Sequence, residues 1–567
     1  MTPADSSTPG SAAAVAPGHI WHVAQKELLG IADDARFHTI SEAAQRVGPG
    51  DTVVIHGGIY REHVIVAASG TAEQPIWFVV APGERVVVTG ADEITDWERA
   101  DLEQHVYRTH WPHNFTWRTS LTHPSDDYHL LIGRAEQVFM DGYPLRQVLS
   151  RKHMSRGSFY VDLDAKLLYA WGYSNEPFDQ KVRLEASART TLWESKGDHV
   201  HLRGIRFRYA ANHAQHGAAQ FPGHHGVVED CVFERANSSG ASFRGEHIVA
   251  RRCIFQDNGQ LGFGGGGPHN LLLTGCIVRN NNTKGYNRNW EAGGNKIAVA
   301  RGVVFEKSMF IENRGSGVWF DIGNEDCVVR NCLIADNEDA GIFYEISYGL
   351  HAHDNVIVGN GFARGPHAWG LWCGITLSSS PNCVLERNLI VGNKEGINYR
   401  EQERTTWHIG DPERKENPVW NHDEEVHHNV LAHNEDAQVW GWFDVDDERH
   451  WPAPMQEGKT QSARSDGGPI APTLETLKLG HHHNLYYAAP GQGVLNWGTA
   501  RRRNRRYASL DEARAELGLE DGSEVVDPQF ADIATRDFRV PADSPLLKNG
   551  CYPQGDVPGV KLGIISD

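Results

Sequence analysis

The chain has no long apolar run. Nothing in it approaches the roughly 18 residues a bilayer-spanning helix needs, so no membrane partner is expected. It is also short of positive charge: 54 Lys and Arg stand against 73 Asp and Glu, a net charge of −19. That balance argues against nucleic acid or an anionic membrane surface as a partner. Long helical periodicity is missing, which excludes helical arrays of the TPR or ankyrin kind. The 8 cysteines show no CxxC spacing, so buried free thiols are expected rather than a metal site or disulfides. The opening segment MTPADSSTPGSAAAVAPG has neither a basic n-region nor an apolar h-region. Residues 1–18 therefore read as a disordered tail, and a cytoplasmic location is expected.

What is present is glycine, 59 in 567 residues, and a repeat. The phrase "polar-polar-[Cys/Asn/Ser]-apolar-apolar" recurs at Cys231, Cys253, Cys276, Ser308, Cys332, Asn355, Asn388, Asn429 and Asn484. Its uninterrupted spacings are 22, 23, 24 and 23, and the longer ones, 32, 33, 41 and 55, imply loops inserted into coils. Short β-branched segments punctuated by Gly, Asn and Asp at this period predict a parallel β-helix, one repeat per coil, with the Cys/Asn column stacked at a turn. TISEAAQRVG reads as a short helix from about Thr39 that caps the open end. The period is lost from about Trp97 to Leu184, where aromatic strands predict a β-sandwich-like insertion. The expected organisation is an N-terminal cap and first coils at 19–95, the insertion at 96–188, the main helix at 189–490 and a C-terminal segment at 491–567 covering the last coil.

GVWFD ends at Asp321 and GIFYE at Glu345. Each carboxylate lies 13 residues past its column residue, Ser308 and Cys332. The two acids should thus occupy one position on consecutive coils, about 4.8 Å apart. Like charges so placed repel unless something uses them. The plain alternative is a solvated acidic ladder or a Ca²⁺ clamp. Nearby aromatics (Trp319, Phe343, Tyr344 and Tyr348) favour a sugar site instead. Counting 13 from Cys276 puts Asn289 in the same column, with Trp290, Glu291 and Lys296 adjoining. Insertions at 284–300, 364–373 and 401–425 flank this face, and Arg400 and Glu401, where the last begins, join Trp290, Glu291, Lys296, Trp319, Tyr344, Tyr348 and Asn289 as candidate substrate contacts. Two carboxyl groups about 5 Å apart suit retaining glycoside hydrolysis.

The segment from AGGNKIAV through GSGVWFDI to FYEISYG resembles the β-xylosidases of glycoside hydrolase family 120. The resemblance implies a right-handed parallel β-helix with a β-sandwich domain, Asp321 as nucleophile, Glu345 as acid/base, and Lys296 as the family's lysine. Ile322 and Tyr348 depart from the pattern, as does GLHAHDN in place of a Gly-Pro turn. The function expected is a retaining exo-glycosidase of short neutral oligosaccharides or glycosides, without cofactor; a homo-oligomer stays open. Two rivals remain. A β-helix polysaccharide lyase would use Lys296 as base and need an arginine on a following coil, where Asp321 and Glu345 stand and Arg400 lies too far. A non-catalytic carbohydrate-binding solenoid would not explain the matched acids. The histidines at His427 and His481 read as turn repeats rather than metal ligands. GFGGGG from Gly262 reads as a tight turn and RRRNRRY as an ion-paired surface. DVDDERH from Asp444 lacks EF-hand spacing and offers Ca²⁺ only a weak site.

Overall fold

A computed structural model describes residues 18–565 apart from 102–104, 117–128, 175–177, 179–181, 364–369, 403, 410, 412, 414–415, 444–476, 490–491 and 500–502. The acidic loop from Asp444 and most of the N-terminal tail lie outside the described residues.

The strands form three long sheets, one of 14 and two of 13 strands among the described residues. Each coil contributes one strand to each sheet, and successive coils pair in parallel: Val227–Glu229 with Val249–Arg251, then with Leu272–Thr274. This is the right-handed parallel β-helix the repeat predicts. Its interior is a continuous column of apolar side chains, with Phe207, Phe233 and Phe255 stacked 5.2 and 4.9 Å apart.

The Cys/Asn column is a hydrogen-bonded ladder. Cys253 N donates to Cys276 Sγ (3.3 Å) and Cys276 N to Ser308 Oγ (3.0 Å). Cys332 N donates to Asn355 Oδ1 (2.9 Å), and Asn355, Asn388, Asn429 and Asn484 continue it. All eight cysteines are buried free thiols. A second ladder runs five residues beyond the first, through Asn258, Asn281, Asn313, Asn337, Asn360, Asn393 and Asn434. Each amide donates to the next, so these buried polar groups satisfy one another.

Thr39 caps the helix Ile40–Ala44 through a capping box with Glu42, and Ile40, Ala43 and Ala44 are buried against the first coils. The insertion leaves the stack at Gly90 and returns at Ala188, whose N donates to Gly90 O at 2.7 Å. A Cβ at Gly90 would come within 2.5 Å of Tyr209 O, so the neck requires glycine. Between these points lie sheets of five and four strands around Trp111, Phe159 and Leu168. The stack continues across the insertion, since Trp193–Ser195 pairs with Val64–Val66 and Val200–Arg203 with Ile76–Val80.

Two local expectations are corrected. GFGGGG is not a turn: Leu261–Gly266 is a strand, and the turn begins at Gly267 with φ 76°. The C-terminal segment does more than cover the last coil. Leu510–Leu517 and the strand Glu524–Val525 close that end, and the rest runs back along the outside of the sheet that holds Leu333–Ala335, Val356–Val358 and Leu389–Val391. There Phe538, Val540 and Leu546 pack on Leu333, Val356 and Leu389. In the basic run, Arg505 pairs with Glu516 at 2.6 Å.

Candidate active site

Asp321 and Glu345 are register partners on the adjacent strands Val318–Asp321 and Ile342–Glu345. Strand parity sorts their neighbours. Phe320 and Tyr344 point inward and belong to the core, while Trp319 and Phe343 point outward beside the acids with their rings tilted at 30° and centroids 5.1 Å apart. Tyr344 is therefore not a substrate contact: it is fully buried and its hydroxyl donates to Tyr348 O at 2.8 Å.

The coil before Asp321 supplies Ala298, not Asn289, at the carboxylate position. That coil has 32 residues to the next column residue instead of 23. The nine extra residues precede the strand, so a forward count from Cys276 falls short by that loop. Asn289 is exposed in the loop. Lys296, two residues before Ala298, takes the position beside Trp319.

Lys296 Nζ lies 2.9 Å from Asp321 Oδ2 and 3.9 Å from Glu291 Oε2. It donates to Trp290 O at 3.0 Å and sits 4.3 Å over the Trp319 ring. Burial alone would lower the lysine pKa, but Asp321 and Glu291 outweigh it and raise it. Burial pushes the Glu291 carboxyl up against the pull of Lys296. Gln215, unmarked by any motif, donates to Glu291 Oε2 at 2.6 Å. The Trp290 side chain packs on Ile132 of the insertion with Tyr286, Ala214 and Ala292. The Oδ1 atom of Asp321 is buried and has no hydrogen bond.

Glu345 has a different shell. Arg404 Nη1 donates to its Oε1 at 3.0 Å, and Arg400 Nη1 lies 3.8 Å from the same oxygen. Arg400 stands two coils beyond Glu345, in the column Asp321, Glu345, Ser378, Arg400. Its length brings it back to the acid, so it is not too far to act there. Burial and the Asp321 charge raise the Glu345 pKa, more than Arg400, Arg404 and Lys296 lower it. Both acids are nearly closed off, at 6% and 7% exposure.

Arg404 belongs to a hairpin, Arg404–Thr406 with Asn417–Val419, that overlies this face. It is anchored by His408 to Glu325 (3.0 Å) and by Trp407 over Gly323. Gly323 has φ 63°, and a Cβ there would come within 2.6 Å of Trp407 O. Tyr348 packs on His408 at 4.7 Å, in the neighbouring sheet around the turn from the acids. Glu401 also leaves the site: it faces inward, accepts from Asn421 N at 2.8 Å, and burial pushes its pKa up to about 8. Thus Lys296, Glu291, Trp290, Trp319 and Arg400 gather around the two acids. Asn289, Tyr344, Tyr348 and Glu401 do not. Among the described residues no cluster of three or more His, Cys, Asp or Glu is arranged to hold a metal, and no helix is long and apolar enough to cross a membrane.

The sequence profile of the family described as "right handed beta helix region" matches residues 215–371. No curated protein sequence matches significantly. Among solved structures, XylC in complex with xylose is 16% identical, over 90% of this chain and 87% of that one, with a TM-score of 0.63. A structure described as a glycoside hydrolase is 13% identical over 69% of this chain and 96% of that one, TM-score 0.48. A mannuronic acid specific family 6 polysaccharide lyase from human gut microbiota is 11% identical over 95% and 92%, TM-score 0.46. The XylC likeness establishes the fold.

Proposed function

We propose that the chain is a retaining exo-glycoside hydrolase in which Asp321 is the nucleophile and Glu345 the acid/base. The observation that carries this reading is the direct register of two buried carboxylates with contrasting surroundings. Asp321 is ion-paired through Oδ2 with Lys296, while Oδ1 stays bare. A bare carboxylate oxygen is what attack on an anomeric carbon needs. The raised pKa of Glu345 supplies a proton for the leaving oxygen, and in the second step its carboxylate accepts one from water.

On the far side of Asp321 the side chains become small. The column continues to Ala298 and then Gly266, where a Cβ would meet nothing within 4 Å. This leaves space for the donor ring beside Trp319 and Glu291. Recessed acids under loops suit a chain end, hence exo action on short oligosaccharides or glycosides. XylC, of like fold, was solved with xylose, so xylosides head the substrate panel. The lyase reading is the less favoured, because Asp321 and Glu291 raise the pKa of Lys296, the base it would need.

The test is hydrolysis of a panel of aryl glycosides, with ¹H NMR of the first-formed sugar. A first product with the anomeric configuration of the substrate supports the double displacement. The opposite anomer, or an unsaturated product absorbing near 235 nm, would overturn it.

A further inference from the structure

Lys296 stands between two carboxylates. Its Nζ is 2.9 Å from Asp321 Oδ2 and 3.9 Å from Glu291 Oε2. Two further contacts fix the ammonium whichever acid it pairs with: Trp290 O accepts from it at 3.0 Å, and the Trp319 ring centre lies 4.3 Å away. Glu291 is fixed as well. Gln215 donates to its Oε2 at 2.6 Å, and Gln260 Nε2 donates to its backbone oxygen at 2.8 Å. The Lys296 and Glu291 side chains are only 13% and 12% exposed, so water screens neither charge well.

On the double displacement proposed above, on which this inference rests, the charges around Lys296 change during the reaction. In the first step Asp321 Oδ1 bonds to the anomeric carbon, the bond from that carbon to the leaving oxygen breaks, and the Glu345 proton goes to that oxygen. Asp321 becomes an uncharged ester. The negative charge appears on Glu345, where Arg404 Nη1 lies at 3.0 Å. Lys296 has then lost its nearer partner. A buried ammonium without a counter-ion is strongly destabilising. Among the described residues, Glu291 is the one other carboxylate within ion-pair distance of it. Burial and the Asp321 charge raise the Glu291 pKa, against the pull of Lys296 and Gln215. The ester removes the Asp321 charge, which favours ionised Glu291 at the stage where Lys296 depends on it.

We propose that Glu291 is the reserve counter-ion of Lys296, a positioning residue that takes over the ammonium when Asp321 is glycosylated and returns it when the ester is hydrolysed. In the second step a water oxygen bonds to the anomeric carbon, its proton goes to Glu345, the bond from that carbon to Oδ1 breaks, and the negative charge returns to Asp321. Glu291 therefore favours the first step and not the second. Without its charge, forming the ester strands Lys296, whereas breaking the ester restores the pair of Lys296 with Asp321. A Glu291 that only gripped a sugar hydroxyl would favour both steps.

The experiment follows the two steps separately, with the 2-deoxy-2-fluoro dinitrophenyl analogue of the glycoside cleaved fastest in the panel. The probe should label Asp321, read by the mass of the chain and of its peptides, and water then removes the label. In Glu291→Gln the labelling rate should fall at least about tenfold, while the label is lost as fast as in the wild type or faster. Glu291→Asp keeps the charge and should recover part of the labelling rate. Beside Lys296→Met, a further Glu291→Gln should slow labelling by less than about twofold, because its effect runs through the ammonium. Labelling and label loss that fall together, labelling unchanged in Glu291→Gln, or a tenfold loss that persists beside Lys296→Met each overturn this inference and leave the double displacement standing. A wild-type chain that cleaves no glycoside, or cleaves one and is never labelled, overturns the double displacement and this inference with it.

Discussion

Two columns stack like on like in this solenoid. In one, Asn258 through Asn434 repeat on seven coils; in the other, Asp321 and Glu345 repeat on two. An amide has a donor and an acceptor, so each Asn bonds the next at 2.9–3.1 Å, and the column closes on itself. A carboxylate only accepts. Two of them in register repel, and cations must be imported from elsewhere: Lys296 for one, Arg400 and Arg404 for the other. The amide ladder is a solution to burial. The carboxylate pair is a cost, tolerated where chemistry uses it.

The sharpest way to break this contrast is to remove the acids. Asp321→Ala should lower turnover by roughly 10,000-fold or more, with azide restoring it as a glycosyl azide of inverted configuration. Glu345→Ala should still be glycosylated by substrates with good leaving groups, and azide should then give the retained product. The reverse pattern would exchange the two roles. If neither variant loses more than about tenfold, or 1.4 kcal/mol, the acid pair is structural.

The amide ladder should respond in stability instead. Asn337 accepts from Asn313 Nδ2 and donates to Asn360 Oδ1, both at 2.9 Å. Asn337→Ala orphans buried groups on both sides and should cost about 2–4 kcal/mol in denaturant unfolding. A loss below about 0.5 kcal/mol would mean that the ladder contributes little.

A smaller effect separates the columns by pH. The folded pKa of Glu345 is raised, so ionisation penalises the folded state. Below the unfolded value, near 4.5, both states are protonated and the penalty vanishes. It grows as pH rises through 4.5 and is complete above the folded pKa. Glu345→Gln should therefore raise the melting temperature at pH 7, by about 1 °C for each kcal/mol in a chain of this length, and leave it unchanged near pH 3.5. A gain equal at both values would point to packing rather than charge. The activity profile should have an alkaline limb set by Glu345. Arg404→Gln, removing a cation that lowers that pKa, should move the limb upward.

The smallest change is expected at Cys276→Ser. Ser308 already fills the same column with a hydroxyl that accepts from Cys276 N. The cost should be below about 1 kcal/mol with kcat unaltered, measured by thermal unfolding beside an aryl glycoside assay.

The repeat was readable because coils of a β-helix stack at fixed register, so a period in the chain becomes a column in space. The second ladder was equally readable, each Asn lying five residues past the first column, although no motif drew attention to it. Strand parity was readable too: Tyr344 is one residue from Glu345 and so must face the core. Where a loop interrupts the period, counting fails, as at Asn289, because the chain alone does not say on which side of the strand the extra residues fall. The carboxyl-terminal segment left one trace, the wholly apolar strands Leu333–Ala335, Val356–Val358 and Leu389–Val391, which need cover on both faces.

By itself, then, the sequence determined the solenoid, its stacked turns and the pairing of Asp321 with Glu345, since all three follow from local periodicity. Only the tertiary structure decided what surrounds the pair. Gln215 approaches Glu291 across 76 residues of chain, and Arg404 reaches Glu345 across 59. These contacts depend on how loops fold back over a finished sheet. No period encodes that, because a loop's path is set by what it packs against.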